Sequence, residues 1–228
     1  MSNLFPALPT TYRGSSVMPY MPNGDVDRAH EWDWTGRQDT IASGLTKASV
    51  DPTAGTETFS LAYSGLTRAD ARAIESFVET QKARKTGFWC PTFQSDFYVT
   101  STSGDFLFIR EWGYVANIYP LGDAYSHFAA YRPQSGGSSN WGMARFASFV
   151  DSGTDAAGYP LTRYFVNAIT YSGNTNVWGG GVNGAADGLV VMRMPFVRFA
   201  DDALTTEWAH PNLASITLRV TTIPGETP

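Results

Sequence analysis

Between Leu66 and Gly87 the apolar positions recur every three or four residues. Ala73, Ile74, Phe77 and Val78 form one stripe, while Glu75, Glu79, Gln81 and Lys82 face away. This spacing predicts a helix from about Arg68 to Arg84. Thr67 is placed to cap the amide of Asp70, and Asp70 is the acidic half of a capping-box-like pair. Leu66 before the cap and Ala71 after it supply a hydrophobic staple. Lys82, Arg84 and Lys85 complement the carbonyl end of the helix, and Gly87 can stop it in the left-handed conformation.

Elsewhere the pattern has a period of two. Phe59, Leu61 and Tyr63 alternate with Ser60 and Ala62, Phe106 and Phe108 with Leu107, and Ile216, Leu218 and Val220 with Thr217, Arg219 and Thr221. "GYVANIYPLG", "TRYFVNAITY" and "GLVVMRMPF" are further β-branched and aromatic runs closed by Gly or Pro. The expected fold is mainly β, a β-sandwich or split barrel flanked by one α-helix. Near Pro133 the composition shifts: "PQSGGSSNWG" and "SGNTNVWGGGVNGAADG" are rich in Gly, Ser and Asn. They read either as long surface loops or as the flanks of a β- and loop-rich insertion. On the second reading, residues 1–132 and 189–228 form the main domain, residues 133–188 form a peripheral insertion dispensable for the fold, and Leu189–Met194 return to the sheet of Phe59–Tyr63.

Composition sharpens this picture. A chain of 228 residues buries roughly 70% or more of its unfolded surface, so it needs no disulfide or metal to hold a core. Charged residues make up only 16% of it, against about 25% in an ordinary soluble domain, and aromatics reach 14%. Such a surface suits coverage by partners. The formal charge is −5, and no basic run exceeds the one around Lys82, Arg84 and Lys85, which argues against a protein that tracks nucleic-acid phosphates. The N-terminal stretch lacks a basic region followed by an apolar one, and no run approaches the ~18 apolar residues of a membrane span. Neither export nor membrane insertion is expected.

Candidate chemistry is sparse. Cys90, the single cysteine, follows a basic cluster, but it sits between Trp89 and Pro91 at the start of a strand. That setting favours buried packing over a nucleophile, which would need His30, His127 or His210 within reach. "DSGTD" holds the Asp151-Ser152-Gly153 triplet of aspartic proteases, yet that chemistry needs a second copy, and Asp-Ser-Gly is also a common turn. The histidines lack zinc-ligand spacing, and "GGGVNG" lacks the Lys and Ser/Thr of a phosphate loop. No catalytic residue, cofactor or metal is expected. Trp141 and Trp178, in the Gly/Ser-rich loops, are the candidates for a peripheral or glycan contact through an exposed ring, against the alternative that each anchors its loop.

Two stretches resemble a known family. "YSGLTRADARAIESFVETQKARKTGFWCPTFQSD" is similar to the part of tailed-phage distal tail and minor tail proteins in which a strand leads to one helix and then to a short aromatic-proline strand ending at an acidic residue. "VVMRMPFVRFADDALTTEWAHPNLASITLRVTTIPG" resembles their closing part: an Arg-bearing strand, an acidic turn, an aromatic-bearing strand and an alternating terminal strand. The resemblance implies a tail-tube-like fold and a ring of six at the end of the tail tube. Its implied partners are further copies of itself, the tube protein, hub or fibre proteins and, through the insertion, host glycans. The implied location is the virion tail tip after synthesis in the host cytoplasm. The family shares no catalytic residues, so none carry over. A carbohydrate-binding β-sandwich is the alternative from another class, and a hydrolase the third.

Overall fold

The computed structural model describes residues 10–23, 26–31, 36–40, 46–50, 56–103, 105–110, 127–133, 139–172 and 188–223. In chain order, β1 (Thr11–Tyr12) and β2 (Ser15–Ser16) form a short hairpin, followed by β3 (Val26–Glu31), the hairpin β4 (Gly36–Thr40) and β5 (Thr46–Val50), and β6 (Thr56–Leu66). The helix α1 (Arg68–Thr80) leads to β7 (Phe88–Trp89). Then come β8 (Tyr98–Ser103), β9 (Phe106–Arg110), β10 (His127–Pro133), β11 (Ser139–Thr154), β12 (Pro160–Ser172) and β13 (Val190–Arg193). The chain closes with β14 (Phe196–Phe199), β15 (Thr206–His210) and β16 (Leu213–Thr222). The fold is mainly β, made of curled antiparallel sheets with one α-helix among the described residues, as the hydrophobic pattern predicts.

The first sheet runs β3-β6-β16-β14-β7, and β15 also lies along β16. Its register places Phe59 opposite Val220 and Leu61 opposite Leu218. These alternating residues are all buried, as their period of two requires. The helix packs on β6 and β16. Thr67 caps it by accepting from the Asp70 amide at 3.2 Å while its hydroxyl donates to the Asp70 carboxylate at 2.7 Å. Ala71 and Ile74 are fully buried, and Phe77 meets Phe88 edge-on with ring centroids 5.3 Å apart.

The end of the helix differs from expectation. It stops at Thr80, four residues early; Lys82 takes the left-handed conformation (φ 50°), and Ala83–Lys85 form a separate 3-10 turn that carries Arg84 and Lys85. Gly87 is required for another reason. A Cβ there would lie 2.4 Å from Cε1 of Phe196, so the glycine lets β7 approach β14.

The second sheet, β13-β10-β11-β12-β9-β8, is built from one continuous stretch of sequence. Its two edge strands approach each other: Phe97 bridges Val191, and the amides of Asp96 and Phe97 both donate to the Val191 carbonyl, at 3.1 and 3.2 Å. The sheet thus curls into a six-stranded barrel whose two edges meet at this bridge. Val99, Leu107, Ile109, Phe128, Ala130, Phe146, Tyr164, Val166 and Val191 fill the interior in one apolar cluster, with Phe128 stacked on Phe146 at 4.3 Å. A second cluster lies between barrel and first sheet, where Ala129, Met143 and Met192 from the barrel join Phe59, Leu61, Trp89 and Val220.

This arrangement corrects the proposed division at 133–188. β11 and β12 are interior strands of the barrel, flanked by β10 on one side and β9 on the other. The unit that interrupts the first sheet is therefore the whole barrel, residues 98–193, entered after β7 and left before β14. Likewise β13, at the position expected to rejoin the Phe59–Tyr63 strand, pairs with β10, and it is β14 that returns to the first sheet. The Gly/Ser-rich composition misleads because it does not mark an edge of the fold: β11 begins inside the first of these stretches, and β11 and β12 are interior strands of the sheet. Replacing residues 136–185 with a short Gly/Ser linker is accordingly expected to remove β11 and β12 and to destroy the barrel. Circular dichroism and thermal unfolding of the deletion variant check this; a cooperative transition with undiminished strand signal would contradict it.

Candidate functional site

The residues singled out for chemistry are not brought together. Cys90 is a free, buried thiol whose Sγ faces the Pro91 carbonyl at 3.5 Å, and burial pushes its pKa up, away from the reactive thiolate. Asp151 lies near the end of β11, where Gly153 at φ 80° accommodates a register shift, so the triplet shapes a bulge at the hairpin end. Among the described residues no group of His, Cys, Asp and Glu could hold a metal ion.

The histidines are dispersed as well. His210 is exposed in β15, the side chain of His30 lies outside the described residues, and His127 is buried in β10. Arg13 approaches His127 Nε2 at 3.2 Å and Tyr12 Oη approaches Nδ1 at 3.0 Å. A guanidinium only donates, so Nε2 accepts and Nδ1–H donates to Tyr12, which selects one neutral tautomer. Burial, partly offset by Arg13 and Arg145, raises the Tyr12 pKa and keeps the hydroxyl protonated. With the Trp89 ring 4.5 Å from the imidazole, this trio reads as a polar pin between the N-terminal hairpin, β7 and the barrel.

Trp141, expected as an exposed ring, is 1% accessible. It lies on β11 against Tyr131, centroids 4.7 Å apart, in the cluster between barrel and first sheet. It anchors, and it offers no face to a ligand. Trp178 lies outside the described residues.

Two arrangements escaped the sequence reading. The first is a buried ionic cluster. Arg193 of β13 donates to both carboxylate oxygens of Glu57 in β6 at 2.8 Å each, and its Nε is 3.9 Å from the Asp96 carboxylate. Asp96 also accepts from the Arg193 amide at 2.8 Å and from the Thr92 hydroxyl. The side chains of Arg193, Glu57 and Asp96 are only 4%, 9% and 8% exposed. The cluster sits where the chain passes between its two units: Cys90 N donates to Pro195 O and Thr92 N to Arg193 O, so residues 90–97 and 191–195 run side by side from sheet to barrel. Phe93, in this crossing, holds φ at 54°, a conformation unfavourable for a bulky residue that its buried ring helps to enforce.

The second is the outer face of the barrel. Strand register puts Tyr98, Arg110 and Leu161 in one row, Phe108, Arg163 and Val150 in the next, and Phe106 and Phe165 in a third. The Arg110 guanidinium lies 4.6 Å from the Tyr98 ring and 4.3 Å from the Tyr159 ring, and that of Arg163 lies 4.9 Å from Phe106. Asp155, at the β11–β12 turn, pairs with Arg110 and accepts from the amides of Ala157 and Tyr159 at 2.9 Å each. Desolvation works against its ionised form, but the Tyr159 amide, Arg110 and the Ala157 amide outweigh it and hold the carboxyl below its usual range. Tyr98, Val150, Tyr159 and Phe165 remain 42%, 53%, 39% and 36% exposed. The signal was present in "FLFIR", where one face of a strand carries Phe, Phe and Arg and the other Leu and Ile.

No protein-family model matches this sequence, and a search of curated proteins finds no match.

Two outcomes follow from this geometry. Arg193→Met leaves two buried carboxylates without their cation and is expected to cost about 3 to 5 kcal/mol, whereas replacing Glu57, Asp96 and Arg193 together by apolar residues of similar size should cost much less. Urea unfolding of the two variants checks the order. Cys90 should resist a thiol reagent in the native protein and react stoichiometrically once unfolded; rapid native labelling would contradict its burial.

Proposed function

We propose that this chain is a structural virion protein at the distal end of a long phage tail, where it forms a ring joining the tail tube to the hub or receptor-binding apparatus. The observation that carries the reading is how the two family-like stretches, about a hundred residues apart in sequence, meet. The first supplies β6 from Tyr63 on, the helix, β7 and Asp96; the second supplies β13 to β16. They share one sheet, with β6 beside β16 and β7 beside β14, and the acidic residue ending the first stretch binds the arginine of the second. The features on which the resemblance rests thus belong to one body.

The low charge content and the exposed aromatic residues also support a subunit that is covered on assembly. In this reading the chain performs no catalysis, binds no cofactor and contacts its own copies, the tube protein and hub or fibre proteins. A second reading, a carbohydrate-binding module, is favoured by the exposed Tyr98 and Tyr159 rings beside Asp155, although each of those rings already takes Arg110 against one face.

Negative-stain electron microscopy of the purified full chain is expected to show rings. A strictly monomeric protein retained on a polysaccharide column would replace the ring reading with the second one.

A further inference from the structure

The barrel face and the helix carry complementary chemistry. The face described above presents Arg163 over Phe106 with the partly exposed Phe165 beside them. Along α1 lies an open groove of about 460 Å³ lined by Glu75, Val78, Glu79, Lys82, Asp202 and Leu204. Its floor is apolar, since Val78 and Leu204 are partly buried against the core, and its rim holds three carboxylates against one lysine. Glu79 is exposed on the helix. Glu75 accepts from the Thr206 hydroxyl at 2.7 Å, and Asp202 makes only a long, exposed pair of 3.7 Å with Arg84.

We infer that the Arg163–Phe106–Phe165 face of one copy docks into the Glu75–Glu79–Asp202 groove of a second copy of this chain. An aromatic ring fits the apolar floor, and the guanidinium finds the carboxylates of the rim. Partial desolvation strengthens such a pair relative to a fully exposed one. Aromatic residues and arginine are also the types that dominate the energetics of protein interfaces. The occupant is another copy because one chain carries both halves, in a molecule whose overall charge of −5 makes a cationic aromatic face complementary to its own acidic surface. The two patches differ, so the contact is heterologous, and repetition of one heterologous contact closes a ring when the rotation permits. The inference rests on the ring reading and assigns its surfaces.

The test uses the full chain, with its mass followed by size-exclusion chromatography and light scattering over a range of concentration. Arg163→Glu and Glu79→Arg are each expected to weaken self-association at least tenfold while leaving the melting temperature unchanged, since both side chains are exposed. Mixing the two variants should restore assembly: each acidic face then meets a basic groove, and each native face a native groove, in alternation. An oligomeric parent indifferent to both substitutions would overturn this contact and leave the ring reading standing. A parent monomeric at every concentration would overturn both. Retention on a polysaccharide column that is lost in Phe165→Ser, with the oligomeric state unchanged, would overturn the contact and assign the face to a sugar.

Discussion

Arg193 cannot be left alone where it is. A guanidinium removed from water carries a desolvation penalty of several kcal/mol, which only a close, well-hydrogen-bonded set of anions can offset. Glu57 supplies a bidentate partner from the first sheet, and Asp96 supplies a second from the crossing that opens the barrel. The geometry therefore holds for one relative placement of three elements: β6, the 90–97 segment and β13. An apolar joint of the same area would tolerate sliding, because hydrophobic contact is not directional. A forked cation between two carboxylates does not. The cluster fixes orientation more than it adds stability, and the packing of Trp89, Trp141, Met143 and Met192 is built around that orientation.

The barrel follows from the same joint. A sheet of six antiparallel strands has two edges, and here both lie at the crossing, because the barrel is entered at Phe97 and left at Val191. The hydrogen bonds that join entry to exit also close the cylinder. A unit closed in this way needs only two passages of chain to the rest of the molecule, which explains how 98–193 can interrupt the first sheet without disturbing its pairing. The strands on either side of the interruption, β7 and β14, are direct neighbours.

Local chemistry in the sequence was a good guide where one element decided the outcome. The Thr67 cap, the stripe of Ala73, Ile74, Phe77 and Val78, of which Ile74 is fully buried and Phe77 and Val78 lie partly buried against the core, the alternation of β6 and β16, and the burial of Cys90 between two bulky residues are all legible within a few positions. It failed where the answer depended on residues far apart. Gly87 looks like a helix stop and is instead an accommodation to Phe196, more than a hundred residues away. Trp141 sits in a Gly/Ser-rich stretch and is nonetheless core, because β11 runs on through that stretch and pairs on both sides. Glu57, Asp96 and Arg193 carry no spacing signal, since their relation exists only after the two sheets have met.

The distribution of aromatic residues bears on what the molecule can do. Among the described residues many of the large rings are consumed in packing: Trp89, Trp141, Tyr12, Tyr63, Phe59, Phe88 and Phe128 are fully buried. A general argument from aromatic content to an interaction surface therefore cannot draw on these rings. The large rings left exposed among the described residues are Tyr98, Phe149, Tyr159 and Phe165 on the barrel and Trp208 at the β15–β16 hairpin, its ring 5.7 Å from the Arg68 guanidinium. Arginines lie over three of these rings: Arg110 over Tyr98 and Tyr159, and Arg68 over Trp208. A cation held over an exposed aromatic face keeps that face polar enough to stand in water, yet still offers apolar area and hydrogen-bond donors to a surface that brings its own carboxylates.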